Sequence, residues 1–145
     1  VAITVHTYQL SVKHQLLGDI DVVGDELRIT IHTDDYAPDF AYNGDEAYDD
    51  LTDEVAAGGG YTSGGIALSS QAVAWDAGTS SWKLTAADID GLAGISGRWV
   101  VLRKYDATDS LSYLIQAWDF AEGVSTDVTI GGVAMTGGVL AGEAP

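Results

Sequence analysis

Leu27-Arg28-Ile29-Thr30-Ile31-His32 alternates apolar and polar side chains at every step. Successive side chains of a strand point to opposite faces, so this period sends Leu27, Ile29 and Ile31 to one face and Arg28, Thr30 and His32 to the other. The theme recurs further along the chain, at Val73 and Trp75, at Trp82 and Leu84, and at Trp99-Val100-Val101-Leu102. It continues from Leu111 to Phe120 and at Val124, Thr126, Val128 and Ile130. Turn clusters separate these stretches at Asp76-Ala77-Gly78-Thr79, Gly91 to Gly97, Asp106 to Ser110 and Gly131-Gly132. Short strands with frequent turns predict a mainly β domain, an antiparallel β-sandwich or small barrel.

Two stretches depart from this pattern. Residues 7–17 hold neither glycine nor proline and stop at Gly18, and Tyr8, Val12 and Leu16 recur at i, i+4 and i+8. That spacing predicts one short N-terminal helix with Thr7 as N-cap and an apolar stripe of Tyr8, Val12 and Leu16 facing the core. Residues 34–54 carry nine acids and no base, interleaved with Tyr36, Phe40, Tyr42 and Tyr48. They predict a long acidic loop leaving the sheet, with a short helix near Thr52 to Val55, its aromatics pinned to the domain or to a neighbour. From Leu111 to Phe120 both alternating faces are apolar, which predicts a strand covered on both sides, as a central core strand or as part of an interface.

The 145 residues fit one domain, with 1–6 as an N-terminal arm and 141–145 as a frayed tail. A hydrophobic content of 46% supplies a core, while 22 acids against six bases give a formal charge of −16. Such a field repels nucleic-acid phosphates, so no direct nucleic-acid partner is expected. No apolar run approaches the roughly 18 residues of a membrane span, so no membrane partner is expected either. Without cysteine there is neither a disulfide framework nor a thiolate site.

No motif carries catalytic or cofactor chemistry. His6, His14 and His32 do not fall at a metal-ligand spacing. Ser63 follows Tyr61-Thr62 rather than the glycine a nucleophile elbow needs, and Gly58-Gly59-Gly60 lacks the lysine of a phosphate loop. Asp39 to Asp50 imitates a calcium loop, yet Ala41 stands at its third position where an oxygen ligand belongs. The expectation is therefore no enzyme, no metal and no cofactor.

Tyr48-Asp49-Asp50-Leu51-Thr52-Asp53-Glu54-Val55, followed by Gly58-Gly59-Gly60-Tyr61-Thr62-Ser63-Gly64-Gly65-Ile66-Ala67-Leu68, resembles a signature of small structural proteins of tailed bacteriophages. The resemblance extends to the Gly18-Asp19-Ile20-Asp21 turn, to Tyr36-Ala37-Pro38-Asp39, to Arg98-Trp99-Val100-Val101-Leu102 and to Trp118-Asp119-Phe120. It implies a virion protein assembled in the host cytoplasm, with the phage major capsid protein or other virion proteins as partners and a homo-oligomeric state. The leading expectation is a capsid decoration or cement protein; a neck, tail or fibre component with a receptor- or carbohydrate-binding role is the alternative. Ile3, Val5, Tyr36, Phe40, Tyr42 and Tyr48 are the expected interaction residues, the first two because an alternating N-terminal segment can add a strand to a neighbour.

Overall fold

A computed structural model describes residues 3–136 and 139–143. The domain is mainly β, with antiparallel sheets and, among the described residues, one α-helix. The strands are β1 (Thr4–Thr7), β2 (Leu27–His32), β3 (Ile66–Ala67), β4 (Ala72–Asp76) and β5 (Ser81–Thr85). They continue with β6 (Ile95–Gly97), β7 (Trp99–Lys104), β8 (Leu114–Asp119), β9 (Val128–Thr136) and β10 (Val139–Glu143). A five-stranded sheet runs β1-β8-β7-β2-β3, a three-stranded sheet runs β10-β9-β6, and β4 and β5 form a separate hairpin.

The alternation of β2 divides the large sheet into two unlike faces. Ile29 lies opposite Leu102, and Ile31 opposite Val100, which in turn faces Trp118. These residues join Ile95 of β6 and Ile130 of β9 in one buried cluster, so the aliphatic face packs toward the smaller sheet. On the reverse face Arg28 lies opposite Arg103, Thr30 opposite Val101 and His32 opposite Trp99. Tyr8, Tyr36, Trp99, Val101, Leu114 and Ala117 make a second cluster there. β8 serves both, because Leu114 and Ala117 face one cluster while Ile115 and Trp118 face the other. Its apolar run is that of a strand covered on both sides.

The helix α1 (Gln9–Leu17) lies where the sequence places it, but turns a different side inward. Ser11 and His14 are its buried residues, whereas Val12, Leu16 and Leu17 are 45%, 85% and 66% exposed. Polar docking sets this orientation: His14 stacks on Tyr113 with ring centroids 3.6 Å apart, and its two ring nitrogens meet Asp19 at 2.8 Å and Glu46 at 2.7 Å. The N-cap is Tyr8 rather than Thr7. Gly18 closes the helix at φ 81°, with the Gly18 and Asp19 amides donating to Gln15 and His14 carbonyls.

Three further expectations are corrected. The N-terminal arm is an edge strand of its own sheet, since Thr4 to Thr7 pair with Asp119 to Gln116; Val1 and Ala2 lie outside the described residues. Ala141 to Glu143, expected to fray, pair with β9 as part of β10, which gives their backbone groups partners. In the acidic loop the short helical turn falls at Tyr48–Asp50, while Glu54 bridges His32 in extended form. The Thr33 amide donates to the Asp53 carbonyl and the Val55 amide to the Ile31 carbonyl, and this pairing against the end of β2 outcompetes a helix.

Candidate interaction surface

The acidic loop is built inward. Tyr36 is buried and Phe40 and Tyr48 are half-buried, leaving only Tyr42 of the four loop aromatics exposed, at 80%. The reverse face of the sheet explains this, because Arg28, Thr30, His32, Trp99 and Arg103 offer polar and aromatic groups that an aliphatic cover would leave unpaired. Phe40 stacks on His6 at 4.7 Å, the Tyr8 hydroxyl meets that of Tyr36 at 2.9 Å, and Tyr36 donates to Asp45 at 2.7 Å. Burial raises both tyrosine pKa values far above the ordinary range. The loop therefore uses three of its four aromatics as its own anchors.

Its carboxylates are engaged in the same way. Asp45 also accepts from the Asp39 amide, Asp39 from the Ala41 amide, and Asp50 from the Glu46 and Ala47 amides. Glu54 accepts from the Tyr48 hydroxyl at 2.6 Å, the Tyr61 hydroxyl at 2.5 Å and the Gly64 amide at 2.9 Å. Burial and the bond to Glu54 push the Tyr48 pKa up to about 12. Beside this hub the Arg103 guanidinium is buried, lies 4.0 Å from the Tyr48 ring centroid and donates to the Gly64 carbonyl. Burial lowers its pKa. His32, held between the Thr52 carbonyl and the Thr30 hydroxyl, also has its pKa lowered by burial.

The glycine-rich signature locks onto this hub. Tyr61 and Leu68 are buried in the aliphatic core, and the Tyr61 hydroxyl accepts from the Ile31 amide at 3.2 Å. Gly65 sits at φ 105°, where a Cβ would stand 2.4 Å from the Ile29 carbonyl oxygen. Only glycine tolerates both conditions.

An open apolar surface lies elsewhere. A groove of about 500 Å³ opens on the aliphatic side of the large sheet, with buried Leu102 and Ile115 as its floor. Val5 reaches it from β1, and Val73, Trp82 and Leu84 from the hairpin. Its polar margin is Gln15, Lys83 and Gln116. Trp82 is 70% exposed and meets Trp75 edge-on at 5.6 Å. Of the expected interaction residues the groove includes Val5; Ile3 packs on the core instead, and Tyr42 is exposed on the acidic loop.

Sequence reasoning placed Val73, Trp75 and Trp82 on strands without assigning them to a surface. In the hairpin Val73 lies opposite Leu84 and Trp75 opposite Trp82, so the large residues of β4 and β5 form an apolar face of their own. Leu17 points about 100° away from the Tyr8, Val12 and Leu16 stripe, whereas nothing in the sequence marked Leu16 itself as exposed. No protein-family model, curated protein or solved structure matches the chain.

Proposed function

We propose that this chain is a non-catalytic structural protein of a tailed-phage virion, a decoration protein that docks on the assembled shell through its apolar surface and strengthens it. The observation that carries this reading is the exposure of large apolar side chains, Leu16, Leu17, Trp75 and Trp82 foremost, on an acidic domain whose own cores are already filled. Exposed apolar area of this kind marks an interaction surface. The signature from Tyr48 to Leu68 adds the virion context, and its residues serve the fold: the Tyr61 hydroxyl and the Gly64 amide both donate to Glu54. Repetition on a lattice turns small contacts into a firm coat through avidity and accommodates a homo-oligomeric arrangement.

The test uses particles with and without this protein. Particles lacking it should release DNA at a lower temperature, and adding the purified protein should restore them, whereas a Leu16→Ser, Trp82→Ser variant should not. Equal stability of both particles, with the protein located on the tail, would replace this reading by the second one. That second reading, a neck, tail or fibre component stacking sugars or a receptor, is favoured by the exposed Trp75–Trp82 pair. Against it stands the aliphatic floor of the adjacent groove, whose hydrogen-bonding groups, Gln15, Lys83 and Gln116, stand only at its margin.

A further inference from the structure

The groove and the open edge of the large sheet are one surface, and Val5 belongs to both. β1 ends the sheet order, and among the described residues no strand pairs with its outer side. The antiparallel register fixes which groups face outward. Thr4 lies opposite Asp119, Val5 opposite Trp118, His6 opposite Ala117 and Thr7 opposite Gln116. The Tyr8 amide donates to the Ile115 carbonyl, which is the next pair in the same register. Hydrogen-bonded and non-bonded pairs alternate, so His6 and Thr4 bond inward while the N–H and C=O groups of Val5 and Thr7 point away from β8. The side chains of Val5 and Thr7 share the face on which Leu102 and Gln116 lie.

We infer that this edge and groove bind an extended segment of another protein, which adds a strand to β1, sets alternate aliphatic side chains against Val5 and Trp82, and carries basic residues between them. The inference rests on the docking reading above and names its mode and chemistry. Strand addition gives backbone hydrogen bonds, and the groove reads every second side chain. The charge of the occupant follows from the chain itself. All six bases are already engaged: Lys13 with Glu46, Lys83 with Asp76 and Lys104 with Asp25. Arg28 pairs with Glu26, Arg98 with Asp34 and Asp119, and Arg103 lies buried against the Tyr48 ring. With 22 acids against those six bases, the field of the whole chain favours a basic partner, and a second copy at −16 brings the wrong sign.

The experiment titrates the intact protein with three capped peptides, Ac-KVKVKV-NH2, Ac-EVEVEV-NH2 and Ac-KSKSKS-NH2, and follows backbone amide and indole resonances by NMR. The first peptide should shift the Val5 and Thr7 amides together with the Trp82 indole, less so as salt is raised, and the other two should not. Val5→Pro removes an outward N–H without touching the inward ladder and should weaken binding about fivefold, the value of one net backbone hydrogen bond. Trp82→Ser, on the exposed hairpin, should weaken it independently of any change in β1. Strand addition is overturned if the first peptide moves nothing at millimolar concentration, or moves Trp82 alone as a small apolar ligand would. It is likewise overturned if sedimentation shows self-association that Val5→Pro abolishes, which would make a second copy the occupant. Binding to phage particles that persists while the peptide response is absent refutes strand addition and leaves the docking reading standing.

Discussion

Replacing Glu54 by alanine should destabilise the domain by about 3–4 kcal/mol, a large share of the 5–15 kcal/mol typical of such folds. The carboxylate accepts three hydrogen bonds, from Tyr48, Tyr61 and Gly64. Each bond to a charged group contributes about 1.5–3 kcal/mol, but the donors differ in what they lose. Tyr48 and Gly64 are half-buried and regain water, whereas Tyr61 is buried and keeps only the Ile31 amide, which donates to it. The uncompensated Tyr61 hydroxyl and the lost negative charge beside buried Arg103 supply most of the cost. Glu54→Gln retains an acceptor and should cost less, about 1–2 kcal/mol. Urea unfolding followed by tryptophan fluorescence measures both, with unchanged slope as the sign that only stability moved. Tyr61→Phe removes the stranded hydroxyl, so the double variant with Glu54→Ala should lose less than the sum of the two single changes. An alanine variant within about 0.5 kcal/mol of the parent, or strict additivity with Tyr61→Phe, would refute the hub.

Burial holds the His32 pKa below its ordinary 6.5, so between the two values the unfolded chain binds more protons. Its contribution to stability is complete above about 6.5 and is lost as the pH falls below that toward the folded value, and the urea midpoint difference between parent and His32→Gln should shrink over that window; a difference independent of pH contradicts it. Trp99, Leu102 and Ile115 are all buried, and truncating any one to alanine should cost about 2–5 kcal/mol by chemical denaturation; a loss near zero at Leu102 or Ile115 would mean that the groove floor is not core. Gly65→Ala combines a positive φ with a blocked Cβ and should lower the melting temperature by several degrees, whereas Gly18→Ala, whose Cβ would meet open space, should lower it less; the reverse order would count against the close approach to Ile29.

The strands were legible wherever a single face or a whole segment was apolar. Leu27 to His32 alternates because one side meets the aliphatic core, and β2 spans those six residues. Trp99-Val100-Val101-Leu102 and the run to Phe120 announce strands buried on both sides, as β7 and β8 are. The helix was legible in position and not in orientation. Its stripe of Tyr8, Val12 and Leu16 obeys the helical period, yet the contact that turns it is His14 with Asp19 and Glu46, and Glu46 lies 32 residues away. Hydrophobic periodicity carries no information about such a partner. The same holds for the acidic loop: composition marks it, but Tyr36 and Phe40 turn inward because the unseen reverse face is polar and aromatic. Val5 and Trp82, by contrast, lie on ordinary strands, and only the shape of the fold leaves a groove between them.

The division of the sheet into an aliphatic and a polar face also explains where the charge resides. Covering His32 and Arg103 takes an acceptor and an aromatic ring, and the loop supplies the Thr52 carbonyl to His32 and the Tyr48 ring to Arg103, while Arg28 lies over the Tyr105 ring and pairs with Glu26. That cover neutralises few charges. Glu54 is tied up by neutral donors, and Asp39, Asp45 and Asp50 by backbone amides or a tyrosine hydroxyl. The fold thus consumes its cations and retains its anions, so the acidic surface results from building a polar sheet face out of a chain with six bases. At physiological salt, where screening acts over about 8 Å, such a field guides a basic partner only at close range. The affinity must then come from the apolar contacts and the open backbone of β1, and the charge selects among the segments able to make them. Salt should accordingly change the association rate of a basic partner more than its dissociation, whereas Trp82→Ser should do the opposite.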